Sequence, residues 1–211
     1  GIEVGVQNRV GEEMYGFYFS LFNFAFILNM LLDVGINNYN NRAIARDHKL
    51  LKDHLAAIIP LKLFLSVIYA GFVLISGKIL GYSEEQFQML WILVLNQFLA
   101  SFILYFRTNI SGLQFYRTDS LLSVMDRSLM ILFTGLLLWG NISSQPFRIE
   151  WFVYAQTASY TLTLLTSAAI VRYRSGSFFR KFSLAGSLKI LRSSYPFALL
   201  ILLMSLFNRV D

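Results

Sequence analysis

The chain has 211 residues, of which 56% are hydrophobic and 16% aromatic, and its formal net charge is +6. With a mean hydropathy of +0.56, this composition lies outside the usual range of soluble domains of this size, so a soluble globular protein is excluded. Because the sequence has no cysteine, disulfides, thiolate metal sites and cysteine nucleophiles are excluded as well.

Five stretches are each long enough to cross a bilayer as a helix, which takes about 20 mostly apolar residues. In chain order they are 14–32, 55–76, 87–106, 120–140 and 151–171. A sixth apolar stretch, 197–210, runs to the C-terminus, and 1–7 resembles the end of an earlier helix. We therefore expect an all-α, polytopic transmembrane bundle that is a fragment, truncated within its first and last helices.

The basic residues predict the orientation of this bundle. Twelve of the eighteen Lys and Arg residues fall in three alternate connections, 40–54, 107–119 and 172–195. The other connections hold only Arg9, Lys78 and Arg148. By the positive-inside rule, the first three connections are cytoplasmic. The net positive charge therefore indicates membrane orientation, and no nucleic-acid partner is expected.

Two connections carry signals for how the next helix begins. Ser83 and Gln86 have the spacing of a capping box, which predicts a helix start at this point. The run 187–192 is basic and apolar, as expected for a segment that lies in the cytoplasmic interface. Pro196 follows it and is expected to open the next span. At the first helical position a proline costs little, because the backbone N–H that it lacks would have no partner within the helix.

No motif for catalysis or metal binding is recognised, and the aqueous connections are too short to form a catalytic domain. We therefore predict no catalytic residue, no metal site and no enzyme activity. His48 and His54 both lie in a basic connection and are expected to be solvated polar residues.

A polar stripe is predicted in the first complete span. On a wheel of about 100° per residue, Asn29, Asp33, Asn37 and Asn40 fall within about 80° of one another. Asp33 is the only charge in this stripe. It either lines a cavity and takes part in ion coupling or gating, together with Asn29 and Asn37, or it is a carboxylate at the water boundary.

The remaining charges within the spans are candidates for contact with a substrate. Lys62 either points into a cavity or extends to the cytoplasmic headgroups. Asp126 and Arg127 are adjacent and point about 100° apart, so each needs a partner on another helix. Arg209 and Asp211 are candidates for that role. On the fifth span, small hydroxyl residues form one face that favours helix packing over substrate contact: Ser159, Thr163, Thr166 and Ser167.

Two groups of residues resemble a known family. The first is Val10-Gly-Glu-Glu-Met-Tyr-Gly-Phe-Tyr followed by Leu31-Leu-Asp-Val-Gly-Ile-Asn-Asn-Tyr. The second is Leu188-Lys-Ile-Leu-Arg-Ser-Ser-Tyr-Pro-Phe-Ala-Leu-Leu, which is followed by Asn208-Arg-Val-Asp211. Both resemble the polysaccharide biosynthesis and export proteins of the multidrug/oligosaccharidyl-lipid/polysaccharide exporter superfamily.

This resemblance implies two six-helix lobes around a central cavity. Residues 1–195 would then hold the end of helix 1, helices 2 to 6 and the following cytoplasmic connection. Residues 196–211 would be the start of helix 7, with the second lobe outside this sequence. The membrane would be the bacterial cytoplasmic (inner) membrane, crossed several times.

The resemblance also implies a function. Such proteins move polyprenyl-pyrophosphate-linked oligosaccharide between leaflets by alternating access, for surface polysaccharide such as the O-antigen of lipopolysaccharide. No cofactor is implied beyond a coupling ion, H+ or Na+. A pyrophosphate is anionic, so the candidates for substrate contact or cavity lining are Arg127, Lys62, Arg209 and Asp126.

Other functions remain open from the sequence. A cation-coupled antiporter of drugs or metabolites would have an acidic, aromatic cavity, whereas a flippase for a pyrophosphate lipid would have a cationic one. A flippase for lipid II is a close alternative to a flippase for lipid-linked oligosaccharide. A membrane glycosyltransferase or polymerase is a remote one, because it needs a large aqueous loop.

Overall fold

A computed structural model describes residues 2–140, 147–176 and 184–210, and in the last range the side chains of 186–199. These residues form eight α-helices and no β-strand. In chain order the helices are α1 (Ile2–Val10), α2 (Glu12–Ile27), α3 (Ile36–Arg46), α4 (Leu51–Ile79), α5 (Glu84–Gly112), α6 (Tyr116–Trp139), α7 (Ile149–Ser175) and α8 (Leu184–Val210). Two 3-10 turns, Leu28–Leu32 and His48–Leu50, precede α3 and α4. The all-α prediction is confirmed.

Four stretches of the described chain are both long and apolar enough to cross a membrane. They are Glu12–Leu32, His48–Ile79, Glu84–Gly112 and Tyr116–Trp139, and they contain the first four predicted spans, apart from the last residue of the fourth. The fifth predicted span lies in α7, which has 27 residues. It is not among these four stretches, because its many Ser and Thr residues lower its hydropathy.

The described parts of the three basic connections lie at one end of the bundle, which we call the basic end. The guanidinium of Arg174, at the end of α7, lies 4.2 Å from the ring centroid of Phe115, which precedes α6. Arg107 near the end of α5 pairs with Asp119 at the start of α6, with Nε and Oδ1 2.8 Å apart. The end of α5 also meets α3, because Gly112 contacts Ile44. This common location agrees with a single cytoplasmic side.

Helix α5 is the centre of the bundle, in contact with α2, α3, α4, α6 and α7. Residues of α5 belong to two separate apolar clusters. One lies towards the basic end and includes Ile44, Ile58, Phe106, Leu122 and Ile190. The other lies towards the opposite end and includes Leu21, Val73, Leu90, Leu138 and Phe152. Between the two clusters lie polar side chains that we call the mid-depth layer: Asn29, Asp33, Lys62, Asn96, Gln97, Arg127, Gln156 and Thr157.

Helix α5 begins as the sequence predicts. The Ser83 hydroxyl accepts a hydrogen bond from the Gln86 N–H at 3.4 Å, and the Gln86 side chain accepts one from the Ser83 N–H at 2.8 Å. The two bonds complete the capping box, and this prediction is confirmed.

The start of the last helix differs from the prediction. Pro196 was expected to open a span, but α8 is one continuous helix from Leu184 to Val210 with Pro196 inside it. A proline inside a helix removes one backbone N–H, and its ring presses on the preceding turn. Beside this proline, α8 closely approaches Gly35 at the start of α3. A Cβ atom at Gly35 would lie 2.5 Å from the Ala198 nitrogen and 2.7 Å from the Ser194 oxygen.

The placement of the basic end predicts which connections an impermeant thiol reagent can reach. His48 lies just before α4, and Glu84 is the first residue of α5, so the two lie at opposite ends of α4. Both are exposed. In full-length protein with no other cysteine, Glu84→Cys should react with impermeant maleimide from outside the cell. His48→Cys should react only after the membrane is permeabilised, because the basic connections resist translocation. Labelling in intact cells measures this, and the reverse pattern would contradict the orientation.

Candidate functional site

The first membrane-crossing segment is interrupted near its middle, at a place we call the helix break. Helix α2 tightens into the 3-10 turn Leu28–Leu32, and α3 starts anew at Ile36. Between them Val34 has φ 45° and Gly35 has φ 76°. A positive φ in a β-branched residue such as Val34 is strained by about 1–2 kcal/mol. The single polar stripe expected from a continuous helix is therefore wrong, because Asn29 and Asn37 lie on different helical pieces.

The break redirects the backbone hydrogen bonds. The Ile36 N–H donates to the Asp33 carbonyl at 2.9 Å, so the Leu32 carbonyl loses the partner that it would have in a continuous helix. Two side chains take its place. The Lys62 ammonium donates to the Leu32 oxygen at 2.9 Å, and the Ser101 hydroxyl approaches it at 3.5 Å. This satisfies a backbone oxygen that has no access to water at this depth.

Lys62 comes from the middle of α4 and is completely buried, with 0% of its surface exposed. Its Nζ lies 3.6 Å from Asp33 Oδ1 and 5.9 Å from the ring centroids of both Phe102 and Tyr105. A buried ammonium costs several kcal/mol unless it is paired and hydrogen-bonded, and here a carboxylate, a carbonyl and two aromatic faces compensate it. In this conformation Lys62 therefore contacts only protein, and its predicted contact with substrate stays a prediction.

Asp33 stabilises the other side of the break. Its Oδ1 accepts a hydrogen bond from the Asn37 N–H in the first turn of α3 at 3.1 Å. The carboxylate thus lies at the positive end of α3, while the ammonium lies at the negative end of the 3-10 turn that continues α2. The sequence predicted roles for Asp33 and Lys62 separately, not as a pair. Their pairing could have been inferred from one lone charge of each sign in two consecutive spans, because such charges pair in a membrane.

The two amides predicted to act with Asp33 have different surroundings. Asn29 donates to Gln97 Oε1 on α5 at 2.8 Å. Asn37 is 3% exposed, and neither its side-chain oxygen nor its nitrogen has a partner among the described residues. A buried amide without partners is costly, so Asn37 is an exception to the rule that buried polar groups are hydrogen-bonded.

His54 is not the solvated residue that the sequence suggested. It is 8% exposed, its Nδ1 lies 2.8 Å from Asn40 Oδ1, and its ring stacks on Tyr39. Asn40 in turn donates to Asn109 Oδ1 on α5 at 3.0 Å. These bonds join α3, α4 and α5 at the basic end. His48 is exposed, and the described residues hold no group of three His, Asp or Glu side chains that could bind a metal ion.

A second polar group in the mid-depth layer joins α5 to α7. Asn96 donates to Gln156 Oε1 at 3.1 Å and accepts from the Thr157 hydroxyl at 2.7 Å. Gln156 also donates to the Tyr160 oxygen at 3.3 Å. These residues were not predicted from the sequence. The signal for them was the pair Asn96-Gln97 in the middle of an otherwise apolar span.

Arg127 lies half-way along α6, about 17 Å from Tyr116 at helical rise. It is exposed, and no carboxylate of the described side chains forms an ion pair with its guanidinium. The half-buried Asp126 accepts a hydrogen bond from the Arg127 backbone N–H at 2.7 Å. Tyr160 of α7 is within electrostatic range of both. The side chains of Arg209 and Asp211, predicted as partners, lie outside the described residues.

The basic end carries a groove of about 430 Å³ between α3 and α8. Arg42 and Arg46, one turn apart on α3, line one side of it, and Ser193 and Phe197 of α8 line the other. Neither arginine has an ion-pair partner among the described side chains. The groove therefore combines free positive charge with an apolar wall, as needed to hold the phosphate and the first carbons of a lipid.

The geometry agrees with what the comparisons find. The family model described as polysaccharide biosynthesis protein matches residues 4–211. One solved structure, described as the crystal structure of MATE in the bent conformation, superposes with a TM-score of 0.56 at 18% sequence identity. The superposition covers 97% of this chain and 49% of that one, so this chain spans about half the length of that protein. At this identity the likeness shows a shared fold. No curated protein matches the sequence.

The ion pair at the helix break predicts a difference between two substitutions of Asp33. Asp33→Ala leaves a buried ammonium without a counter-charge, which costs about 3–5 kcal/mol of stability. Asp33→Asn keeps an oxygen acceptor and should cost less. The control is Asp119→Ala, which breaks the partly exposed pair with Arg107 and should cost about 0–1 kcal/mol. Thermal unfolding of the purified full-length variants measures this order, and equal losses for Asp33→Ala and Asp119→Ala would contradict it.

Proposed function

Because the chain belongs to the polysaccharide biosynthesis protein family, we propose that it is one lobe of a transporter that moves lipid-linked oligosaccharide across the cytoplasmic membrane. The transported lipid is a polyprenyl pyrophosphate, and the two lobes move it by alternating access. This assigns the chain a transport role and no enzyme activity.

The observation that carries this proposal is the environment of Arg127. A guanidinium half-way along a membrane-length helix is costly if it faces lipid, so such residues face a wet cavity or a partner. Arg127 has no carboxylate partner among the described side chains and is exposed on the surface of this lobe. An anionic substrate between the two lobes is therefore its natural partner, because a guanidinium binds phosphate oxygens in a bidentate manner.

The location of the polar side chains supports a transport site at this depth. In transporters, substrate and ion sites lie near the middle of the bilayer, next to discontinuous helices. Here the helix break and Arg127 both lie in the mid-depth layer, between the two apolar clusters. The groove at the basic end, with Arg42 and Arg46, supplies a second place for a phosphate on the cytoplasmic side.

The difference in exposure between the charges at mid-depth favours an anionic substrate over a cationic drug. Lys62 and Asp33 neutralise each other at the helix break. Asp126 keeps its charge, but it is half-buried and accepts a hydrogen bond from the backbone. The remaining exposed charge at mid-depth, among the described residues, is the guanidinium of Arg127. A lipid II flippase would share this chemistry, because its substrate also carries a pyrophosphate.

Substitution of Arg127 tests the proposed contact. Arg127→Ala should lower export about 10- to 100-fold, because a hydrogen bond to a charged group contributes about 1.5–3 kcal/mol. Arg127→Lys should restore export only in part, because an ammonium cannot bind two phosphate oxygens in the geometry of a guanidinium. Export of surface polysaccharide is measured in complemented cells and divided by the amount of folded protein in the membrane.

The matched control is Arg117→Ala, which removes an exposed arginine from the first turn of the same helix. It should leave export per folded protein close to wild type. If the loss of export in Arg127→Ala follows the loss of folded protein, Arg127 is a structural residue and the proposed contact is wrong.

Ligand-induced stabilisation tests the substrate class. Polyprenyl pyrophosphate should raise the melting temperature of the purified full-length protein, because a ligand that binds only the native state stabilises it. Polyprenyl alcohol, which has the same chain and no charge, should have a smaller effect. Arg127→Ala should reduce the difference between the two lipids. Stabilisation by lipophilic cations, with no response to the pyrophosphate, would instead favour drug export.

A further inference from the structure

We propose that the helix break is a site for a monovalent cation and that the ammonium of Lys62 permanently occupies it. The inference concerns the internal chemistry of this lobe and does not depend on what the protein transports. It rests on the atoms around the ammonium, on the direction of the helix ends and on the unpartnered buried amide of Asn37.

The groups around Lys62 are those that bind a small cation. The Leu32 carbonyl oxygen lies at 2.9 Å and an Asp33 carboxylate oxygen at 3.6 Å from Nζ. The faces of Phe102 and Tyr105 lie at 5.9 Å, within the range of a cation–π contact. One carboxylate provides one negative charge, which a single monovalent cation neutralises.

The backbone of the break favours a cation at the same point. Unwound carbonyls and the C-terminal ends of half-helices coordinate cations in transporters with discontinuous helices. Here the 3-10 turn that ends α2 directs its free Leu32 carbonyl at the position of the ammonium. The negative end of that segment adds to the attraction. In this chain, a covalently attached ammonium occupies the position that a dissolved ion takes in such sites.

One buried polar side chain at the helix break has no partner among the described residues. It is the amide of Asn37, whose backbone N–H donates to Asp33 Oδ1. Asn37 is 3% exposed. Buried amides are normally hydrogen-bonded, so the Asn37 side-chain oxygen is available as a further ligand for a cation that replaces Lys62.

The site has a consequence for ion dependence. As long as Lys62 occupies it, no dissolved cation is needed to hold Leu32 and Asp33 together. A variant without the ammonium should acquire a dependence on added cations that the wild type does not have. The size of the cation should match the space that each substitution opens.

Two substitutions of Lys62 in the full-length protein test this. Lys62→Ala removes three methylene groups and the ammonium, which leaves the space of n-propylammonium. Lys62→Met fills most of the apolar part of that space and lacks only the ammonium group. This leaves room for ammonium or Na+. The readout is the melting temperature of purified protein in equal concentrations of each salt, with choline chloride as the reference, because choline is too large for either space.

We expect a saturable rise of a few degrees from n-propylammonium in Lys62→Ala, and from ammonium or Na+ in Lys62→Met. n-Propylammonium should not stabilise Lys62→Met, and the wild type should respond to none of these cations beyond choline. Because melting temperature does not report transport, this result is independent of the proposed substrate.

The proposal is wrong if neither variant responds to any cation more than the wild type does. It is also wrong if both respond equally to all the salts, because the response is then a general effect of salt. Should one variant not fold in choline, folding in its matching cation supports the site. Failure of both variants to fold in every cation contradicts it.

Discussion

The contact between the Lys62 ammonium and the Leu32 carbonyl is the interaction on which the rest of this lobe depends. An interrupted helix at membrane depth leaves backbone oxygens without water, and each must find a partner within the protein. Lys62 supplies that partner at 2.9 Å and is neutralised by Asp33. Without it, the buried Leu32 carbonyl would keep only the Ser101 hydroxyl at 3.5 Å, and the strained backbone at Val34 would lack this compensation.

The helix break also explains how the helices are arranged around it. Lys62 places α4 beside the break, and Ser101, Phe102 and Tyr105 place α5 against the same point. Gly35 then allows α8 to approach the start of α3, because any side chain there would collide with the α8 backbone. Polar bonds fix the middle of the bundle, and the two apolar clusters stabilise its ends. Membrane helices lack a strong hydrophobic drive to associate, so such specific contacts decide their register.

Two sets of charges in this lobe have different consequences. The pair of Asp33 and Lys62 is internal and neutral, and it shapes the backbone. Arg127 and the arginines of the groove at the basic end are exposed, and no carboxylate among the described side chains neutralises them. This division supports the proposed anionic lipid substrate, because exposed positive charge at mid-depth and at the basic end is where a phosphate group would bind. The superposition with the MATE crystal structure covers 49% of that chain and shows a shared fold over that part.

The sequence by itself determined the fold class, the approximate positions of the long helices, the capping box before α5 and the separation of basic from acidic connections. These features depend on hydropathy, local spacing and charge, which are read along the chain. Membership of the family was also evident from short motifs in order, such as the one that contains Asp33 and Gly35. The sequence also supplied every candidate charge within the spans, but not the partner of any of them.

Only the tertiary structure decided those partners. A helical wheel assumes continuous hydrogen bonding, so it placed Asp33 with Asn29 and Asn37 on one stripe and could not show the helix break. His54 is buried because Asn40 and Tyr39 of another helix pack against it. Helix α8 continues through Pro196, where the sequence predicted a helix start. The amides Asn96 and Gln156 meet across two helices that are distant in sequence. In each case the deciding energy comes from contacts between segments far apart in the chain, and no local pattern records which segments those are.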